Sequence, residues 1–250
     1  MKKGGVWFVV LTFHPDKKRL EKLVNGLKPY PVVVVDNTQD ENRFLFTGVH
    51  TISPGNNLGY AGGMNLGLHK AMEHHATWMI ALNDDLSISK RGVDILVNQL
   101  YSLPPGVVGP FVGSLDPKRW TSIYPSKTSL YAYVSGSCMA IHRDVIERIG
   151  YFFDSYFMYY EDADFSVRAT KAGFPLYHIP LDVRHQDGSN EYYLSRNHLL
   201  FVERNAPTSV KIHEFVRLLK TFYEHRGRGN VGAEQGVRDY LMRRFGRRDI

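Results

Sequence analysis

Four groups of residues have types and spacing that can do chemistry. The first is Asn83, Asp84 and Asp85, directly after an apolar run over residues 78–82. Adjacent carboxylates at the carboxyl end of a strand suit Mg²⁺ or Mn²⁺ held against the oxygens of a diphosphate. An Asn-Asp turn that ends the strand and caps a helix starting near Ser89 is the plainer alternative. The second group is the stretch Asn56-Asn57-Leu58-Gly59-Tyr60-Ala61-Gly62-Gly63-Met64-Asn65. Glycines let backbone approach a ligand, and a helix starting just after them offers N–H groups to phosphate. The spacing is neither a Rossmann fingerprint nor a P-loop, so a tight connection between elements fits equally well.

The third group is Tyr159-Tyr160-Glu161-Asp162-Ala163-Asp164-Phe165. On a helix beginning near Glu161, Asp164 precedes Arg168 by four residues and reads as a surface ion pair. Asp162 shares a face with Phe165, Ala169 and Ala172, which puts a carboxylate on the stripe that turns inward. It either caps the helix or serves as a base kept ionised by the helix dipole. The fourth is His185, in phase with Leu181 and Val183 on the inward side of a strand. It is either a core histidine or one more arm of a site that already holds carboxylates.

Strands and helices must position these groups. Residues 6–13 and 32–35 are continuous apolar, β-branched runs of the kind buried on both faces of a parallel sheet. Between them, residues 16–28 carry Leu20, Leu23, Val24 and Leu27 at helical spacing behind Asp16 as a cap. The pattern continues with a strand over 49–52, a helix over 62–75, a strand over 77–82, a helix over 89–101 and a strand over 107–112. Residues 113–133 lack periodicity and read as a loop over the site. Beyond them lie a strand over 135–141, helices over 143–149 and 161–172, and a strand over 181–185. After Pro207, Ile212, Phe215, Val216, Leu219, Phe222 and Tyr223 follow helical spacing, and Val237, Tyr240, Leu241 and Phe245 repeat it more weakly. Strands alternating with helices predict an open α/β sheet whose ligands lie beyond the carboxyl ends of the strands.

With 250 residues, 43% of them hydrophobic, the chain can bury one large core. We expect a catalytic domain over 1–206 and a basic amphipathic helical tail over 207–250. The longest apolar run ends at His14, Pro15 and Asp16, far short of the roughly 20 residues that cross a bilayer. A single cysteine, Cys138, excludes an internal disulfide and suits a reducing compartment. The net charge of +6 is uneven: residues 204–250 hold 11 Lys/Arg against 5 Asp/Glu, while the rest is balanced. The tail therefore faces a negative membrane surface or an acidic partner, or else packs on the domain with its arginines solvated. Little aromatic interleaving accompanies the basic residues, so no nucleic acid is expected.

In order and rough spacing these features resemble glycosyltransferase family 2, inverting enzymes of the GT-A fold. The residues that carry the likeness are Val9-Val10-Leu11-Thr12-Phe13-His14-Pro15, Val34-Val35-Asp36-Asn37, the Gly-rich stretch, Leu82-Asn83-Asp84-Asp85, Gly136-Ser137-Cys138-Met139-Ala140, Tyr160-Glu161-Asp162-Ala163-Asp164 and Arg196-Asn197. The Gly-rich stretch is similar to that of the bacterial rhamnosyltransferase-like branch. Two positions depart: His14 stands where the family often has Asn, and Asn83 leaves the family's acidic triplet with one fewer negative charge.

The resemblance implies a Rossmann-like open mixed sheet flanked by helices, with a C-terminal helical tail. It implies Thr12, Asp36, Asn57, Gly59, Gly63, Asn65 and Asp84 at the donor nucleotide, and Asp85, Asp84 and His185 at Mg²⁺ or Mn²⁺. It implies Asp162 as catalytic base, with Glu161, Tyr160 and Arg196 on the acceptor side. It further implies a UDP or dTDP sugar as donor, a saccharide or a lipid-linked one as acceptor, and a cytoplasmic enzyme with peripheral contact at the inner membrane face through the tail. Two rival functions have less support. A nucleotidyltransferase needs a Gly-rich, basic loop after the first strand, where this chain has His14-Pro15-Asp16. A noncatalytic scaffold in polysaccharide assembly has no use for Asp85, Asp162 and His185 together.

Overall fold

The run Val6–Thr12 has no polar side chain before its last residue and forms β1, buried along its whole length. The computed structural model describes residues 5–39, 46, 48–124, 132–184, 188–227 and 229–248. β1 pairs in parallel with β2 (Val32–Asp36) and β4 (Trp78–Asn83), and β3 (His50–Ile52) continues the sheet beyond β2. On the other side of β4, β10 (Cys138–His142) runs antiparallel, followed by β6 (Val107–Gly109) and β11 (Leu176–His178). The order of this seven-stranded sheet is β11-β6-β10-β4-β1-β2-β3.

Side chains alternate across the strands, so β1 feeds both layers: Val9 and Leu11 into one, Phe8 and Val10 into the other. Helices α1 (Lys17–Gly26) and α3 (Lys90–Leu100) cover the second layer with Leu20, Val24, Val93 and Leu96. α1 starts on the cap legible in the sequence, Asp16, which accepts a hydrogen bond from the Arg19 amide. α3 is capped by Ser89, which accepts from the Gly92 amide, and not by the Asn-Asp turn before it. Helices α2 (Gly59–Glu73), α4 (Arg143–Ile149) and α5 (Glu161–Lys171) cover the first with Met64, Leu68, Val145 and Phe165. Two small sheets flank the main one: β7 (Val112–Leu115) pairs with β8 (Ser122–Ile123) and β9 (Tyr133–Val134), and β5 (Ser87–Ile88) pairs with β12 (Val183–Arg184). The chain continues through α6 (Glu191–Asn205), α7 (Thr208–Gly227) and α8 (Val231–Leu241). α8 lies along α6 so closely that a Cβ at Gly236 would run into the Tyr192 carbonyl.

Several expectations need correction. The strand expected over 107–112 is split at Pro110, which lacks a ladder donor, so that β6 and β7 enter different sheets. The segment read as a loop over 113–133 contributes β7 and β8 to a small sheet. The strand expected from 135 begins at Cys138, leaving Ser135 to Ser137 as a turn. β11 escaped notice because three residues show no period, and the strand expected over 181–185 is described only at Val183–Arg184. α2 begins three residues early and absorbs the Gly-rich stretch. A Cβ at Gly63 would sit 2.5 Å from Leu11 Cδ1 and 2.7 Å from Asn37 Nδ2, and one at Gly67 would collide with Val9. Its glycines let a helix lie directly on the sheet.

Asp164 is the largest departure. Instead of sitting in a surface ion pair it is fully buried. It accepts from Arg168 Nε at 2.7 Å, Arg204 Nε at 3.0 Å, Asn205 Nδ2 at 2.7 Å and the Tyr156 hydroxyl at 3.3 Å, tying α5 to α6. Removing one partner of a buried pair strands the others, at a cost of about 3–5 kcal/mol. Asp164→Ala should lose that much unfolding free energy in urea titration, and a loss under about 1 kcal/mol, the range of exposed pairs, would contradict the bracing role.

Candidate active site

Parallel β1, β2 and β4 bring Thr12, Asp36 and the Asn83-Asp84-Asp85 turn to the same sheet end. Thr12 is in register with Asp36, and its hydroxyl donates to Asp84 Oδ2 at 2.6 Å. Burial raises the Asp84 carboxyl above its ordinary value, and the Thr12 hydrogen bond works against that rise. Asp36 is buried and accepts from the Thr38 amide at 2.9 Å. Asn37, absent from the expectations, donates from Nδ2 to the Gly59 carbonyl at 2.8 Å and joins the end of β2 to the start of α2.

Beside this edge lies a cavity of about 280 Å³ into which Tyr60, Asn83, Asp85, Glu161 and Asp162 all open. The turn between β9 and β10 forms its floor. There the Gly136 amide donates to Asp162 Oδ2 at 3.0 Å, while the Ala163 amide donates to Oδ1 at 2.7 Å. The Tyr60 hydroxyl donates to the Gly136 carbonyl at 2.5 Å, and a Cβ on Gly136 would stand 2.8 Å from that hydroxyl, so a larger residue there would push the Tyr60 ring aside. Burial raises the Asp162 carboxyl, and the two amides oppose the rise. Glu161, 5% exposed, has no amide donor on Oε2, and burial followed by repulsion from Asp162 pushes its carboxyl well above the ordinary value.

The segment leading into α5 is strained. Phe157, Tyr159 and Tyr160 have φ of 66°, 66° and 71°, a region that non-glycine residues occupy at a cost. Asn197 on α6 directs Nδ2 at the carbonyls of Tyr156, Met158 and Tyr159, at 2.9, 2.7 and 3.0 Å. Arg196, 1% exposed, donates from Nη2 to the Tyr156 carbonyl at 2.9 Å and from Nη1 to Gly246 at 2.7 Å. The expectation of Arg196 on the acceptor side is therefore corrected: it is sealed inside and grips backbone. From the opposite side the Ala61 amide donates to the Phe157 carbonyl at 3.2 Å, and a Cβ at Gly59, φ +71°, would run into that carbonyl.

The remaining expected residues divide. Asn57 caps α2 by accepting from the Gly59 amide at 2.8 Å. Gly59 and Gly63 serve close packing, and Asn65 donates to the Phe152 carbonyl at 2.9 Å and accepts from the Phe152 amide at 3.0 Å. Gly59, Gly63 and Asn65 are thus engaged by protein where a nucleotide contact was expected. Tyr160 lines a smaller recess with Glu161 and Asp162. His185 lies outside the described residues. Among those described, no group of three His, Cys, Asp or Glu could hold a metal ion. A second cavity, about 550 Å³, shares Ser135 and Ser137 with the first and has Phe111, Tyr124, Tyr133 and Arg184 on its walls. Its residues come from distant segments, and an aromatic-rich stretch without periodicity was their only trace in the sequence.

No family model matches the chain. It is 27% identical over 218 residues to the low-salt glycan biosynthesis hexosyltransferase Agl10 of Haloferax volcanii, covering 74% of this chain and 70% of that one. It is 25% identical over 224 residues to the N-acetylglucosaminyl-diphospho-decaprenol L-rhamnosyltransferase of Mycobacterium tuberculosis, covering 69% and 72%. Among solved structures it resembles the mannosyltransferase PcManGT of Pyrobaculum calidifontis, in complex with GDP-Man and Mn²⁺, with a TM-score of 0.55 at 15% identity, covering 97% of this chain and 75% of that one. That likeness shows the fold, GT-A.

Glu161 yields a prediction on stability. With its folded carboxyl raised, the stability it contributes is present below the ordinary Glu range and lost as pH rises through the folded value. Glu161→Gln should therefore raise the thermal midpoint at pH 8 and converge with the native chain near pH 4, as read by calorimetry. An unchanged or lowered midpoint at pH 8 would contradict the strained carboxylate.

Proposed function

We propose that this chain is a glycosyltransferase in the rhamnosyltransferase-like branch of family 2, and that it transfers a sugar, a rhamnosyl group by the names of two relatives, from a UDP or dTDP donor to a hydroxyl of a lipid-linked saccharide with inversion at the anomeric carbon. The observation that carries this reading is a carboxylate, Asp162, gripped by the Gly136 amide and opening into the same cavity as Asp85.

Asp162 takes the acceptor hydroxyl proton as that oxygen bonds to the anomeric carbon, and the nucleoside diphosphate leaves from the opposite face with the bonding pair. Burial moves the Asp162 carboxyl upward toward working pH, which suits a general base. Thr12 and Asp36 meet the base and ribose of the donor. Asp85, with Asp84 beside it, supplies hard oxygen donors that fit Mg²⁺ or Mn²⁺; one or two carboxylates plus diphosphate oxygens and water complete such a shell. When bound, the cation neutralises charge on the departing diphosphate.

The second cavity is assigned to the acceptor. Tyr124 and Tyr133 offer aromatic faces to the sugar, and Arg184 offers a guanidinium to its phosphates. Residues 1–206 carry this chemistry, with the helices beyond Pro207 as a tail. A lipid-linked acceptor places the reaction at a membrane surface, on the cytoplasmic side.

Calorimetry with dTDP, UDP and GDP, each with and without Mn²⁺, tests the donor assignment. One nucleotide should bind tighter with Mn²⁺, and Asp85→Ala should remove the difference. The matching nucleotide sugar at about 100 times its dissociation constant should stabilise the fold by roughly 2.7 kcal/mol. Equal affinities throughout, untouched by Asp85→Ala, would contradict the metal-assisted donor site.

A further inference from the structure

Helix α7 is built inside out. Its inward stripe runs Val210, Glu214, Leu218, and the middle residue is a carboxylate only 3% exposed, paired with Arg119 Nε at 3.0 Å. Its outward stripe is apolar: Ile212, Phe215, Val216, Leu219 and Tyr223 are 60–77% exposed. Their spacing puts all five on one helical face. An apolar groove between α6 and α7, about 320 Å³, continues this surface inward past Leu199 and Val202. Monomers seldom leave so much contiguous apolar surface in water.

Charge identifies what covers it. Lys220, 68% exposed and 3.7 Å from Glu224, and the exposed Arg226 stand on α7 itself, and residues 204–250 as a whole hold 11 Lys/Arg against 5 Asp/Glu. A second copy of this chain would bring like charges together, whereas an anionic lipid surface complements them. No helix among the described residues is long and apolar enough to cross a membrane. A helix with large apolar side chains on one face and cations at its margins lies in the interfacial plane instead. We propose that the outward face of α7 docks on a bilayer bearing anionic phospholipid, with Phe215 and Leu219 as its main anchors. This extends the reading above, in which the acceptor is lipid-linked, by naming the surface that brings the site to it.

The sequence led us to expect contact through the tail as a whole, and the structure separates its parts. α8 is packed on α6, with the Tyr192 hydroxyl donating to Asp239 at 2.8 Å, and it buries Ala233 and Val237 while Val231 and Leu241 at its two ends stay exposed. Among the described helices of the tail, α7 presents the larger exposed apolar face, five residues against two.

Flotation of the full chain with vesicles tests this without any sugar nucleotide. The intact chain should float with phosphatidylglycerol/phosphatidylcholine vesicles, should float poorly with phosphatidylcholine alone, and should dissociate as salt approaches about 1 M. The double variant Phe215→Ser, Leu219→Ser alters exposed residues and should keep its circular dichroism and thermal midpoint while partitioning at least about tenfold more weakly. The proposal is overturned if the intact chain does not float, if it floats equally with neutral vesicles, if the double variant floats as well, or if sedimentation shows a dimer that the double variant abolishes. Transfer to a water-soluble saccharide should be equal in both proteins, so loss of flotation and loss of the catalytic reading are told apart.

Discussion

The site depends on a backbone that would not hold its shape alone. Phe157, Tyr159 and Tyr160 lie in the left-handed region, where each non-glycine residue costs on the order of 1–3 kcal/mol. The cost is met by buried donors: Asn197 spans three carbonyls of the turn, and Arg196 holds a fourth contact there while reaching Gly246 behind α8. The Arg196 charge is further accommodated by the rings of Tyr192 and Tyr193, 5.4 and 5.0 Å from its guanidinium. Pressed from the other side by the start of α2, the turn can leave only in the direction of α5. Glu161 and Asp162 therefore open toward the turn at Gly136.

Two adjacent carboxylates at one helix start would be a liability if their surroundings were equal. They are not. Asp162 receives the Gly136 and Ala163 amides and the positive end of α5, all of which favour its charged form. Glu161, more deeply enclosed and with Oε2 lacking any donor, is driven to keep its proton, and the ionised Asp162 beside it adds to that drive. Glu161 is thus pushed further toward its neutral form than Asp162, whose oxygens are oriented by the two amides. Asp164, one turn-position further on, is drawn to α6 by Arg168, Arg204 and Asn205 and takes no part in the cavity.

Legibility followed the range of the interactions. β1, β2 and the capped helices α1 and α3 could be read because continuous apolar runs and capping residues act within a few positions. The residues over 143–149 showed their helix for the same reason. Gly59 and Gly63 looked like a ligand cradle, yet with Gly67 their spacing of four is also the face of a helix lying flat on a sheet, and only Val9, Leu11 and Phe157 decide between the two. Asp164 does pair with Arg168 as its spacing suggests. Its burial is set by Arg204 and Asn205, forty residues away. Arg196 was expected on the acceptor side because nothing local announces the carbonyls of Tyr156 and Gly246 that it grips from inside. In α7 the period was legible and its direction was not, since an inward Glu214 makes sense only once Arg119 is beside it.

The proposed transfer depends on Asp162 as the proton acceptor, beside a Glu161 whose buried carboxyl is pushed toward its neutral form. The most direct measurement is the rate of sugar transfer at saturating donor by Asp162→Asn, which keeps the size of the side chain and one oxygen for the amides. General-base catalysis is worth about 10² to 10⁴ in rate, so transfer should fall by that factor while nucleotide affinity stays nearly constant. If Asp162→Asn keeps most of the native rate, the base lies elsewhere and the architecture built around the strained turn serves another purpose.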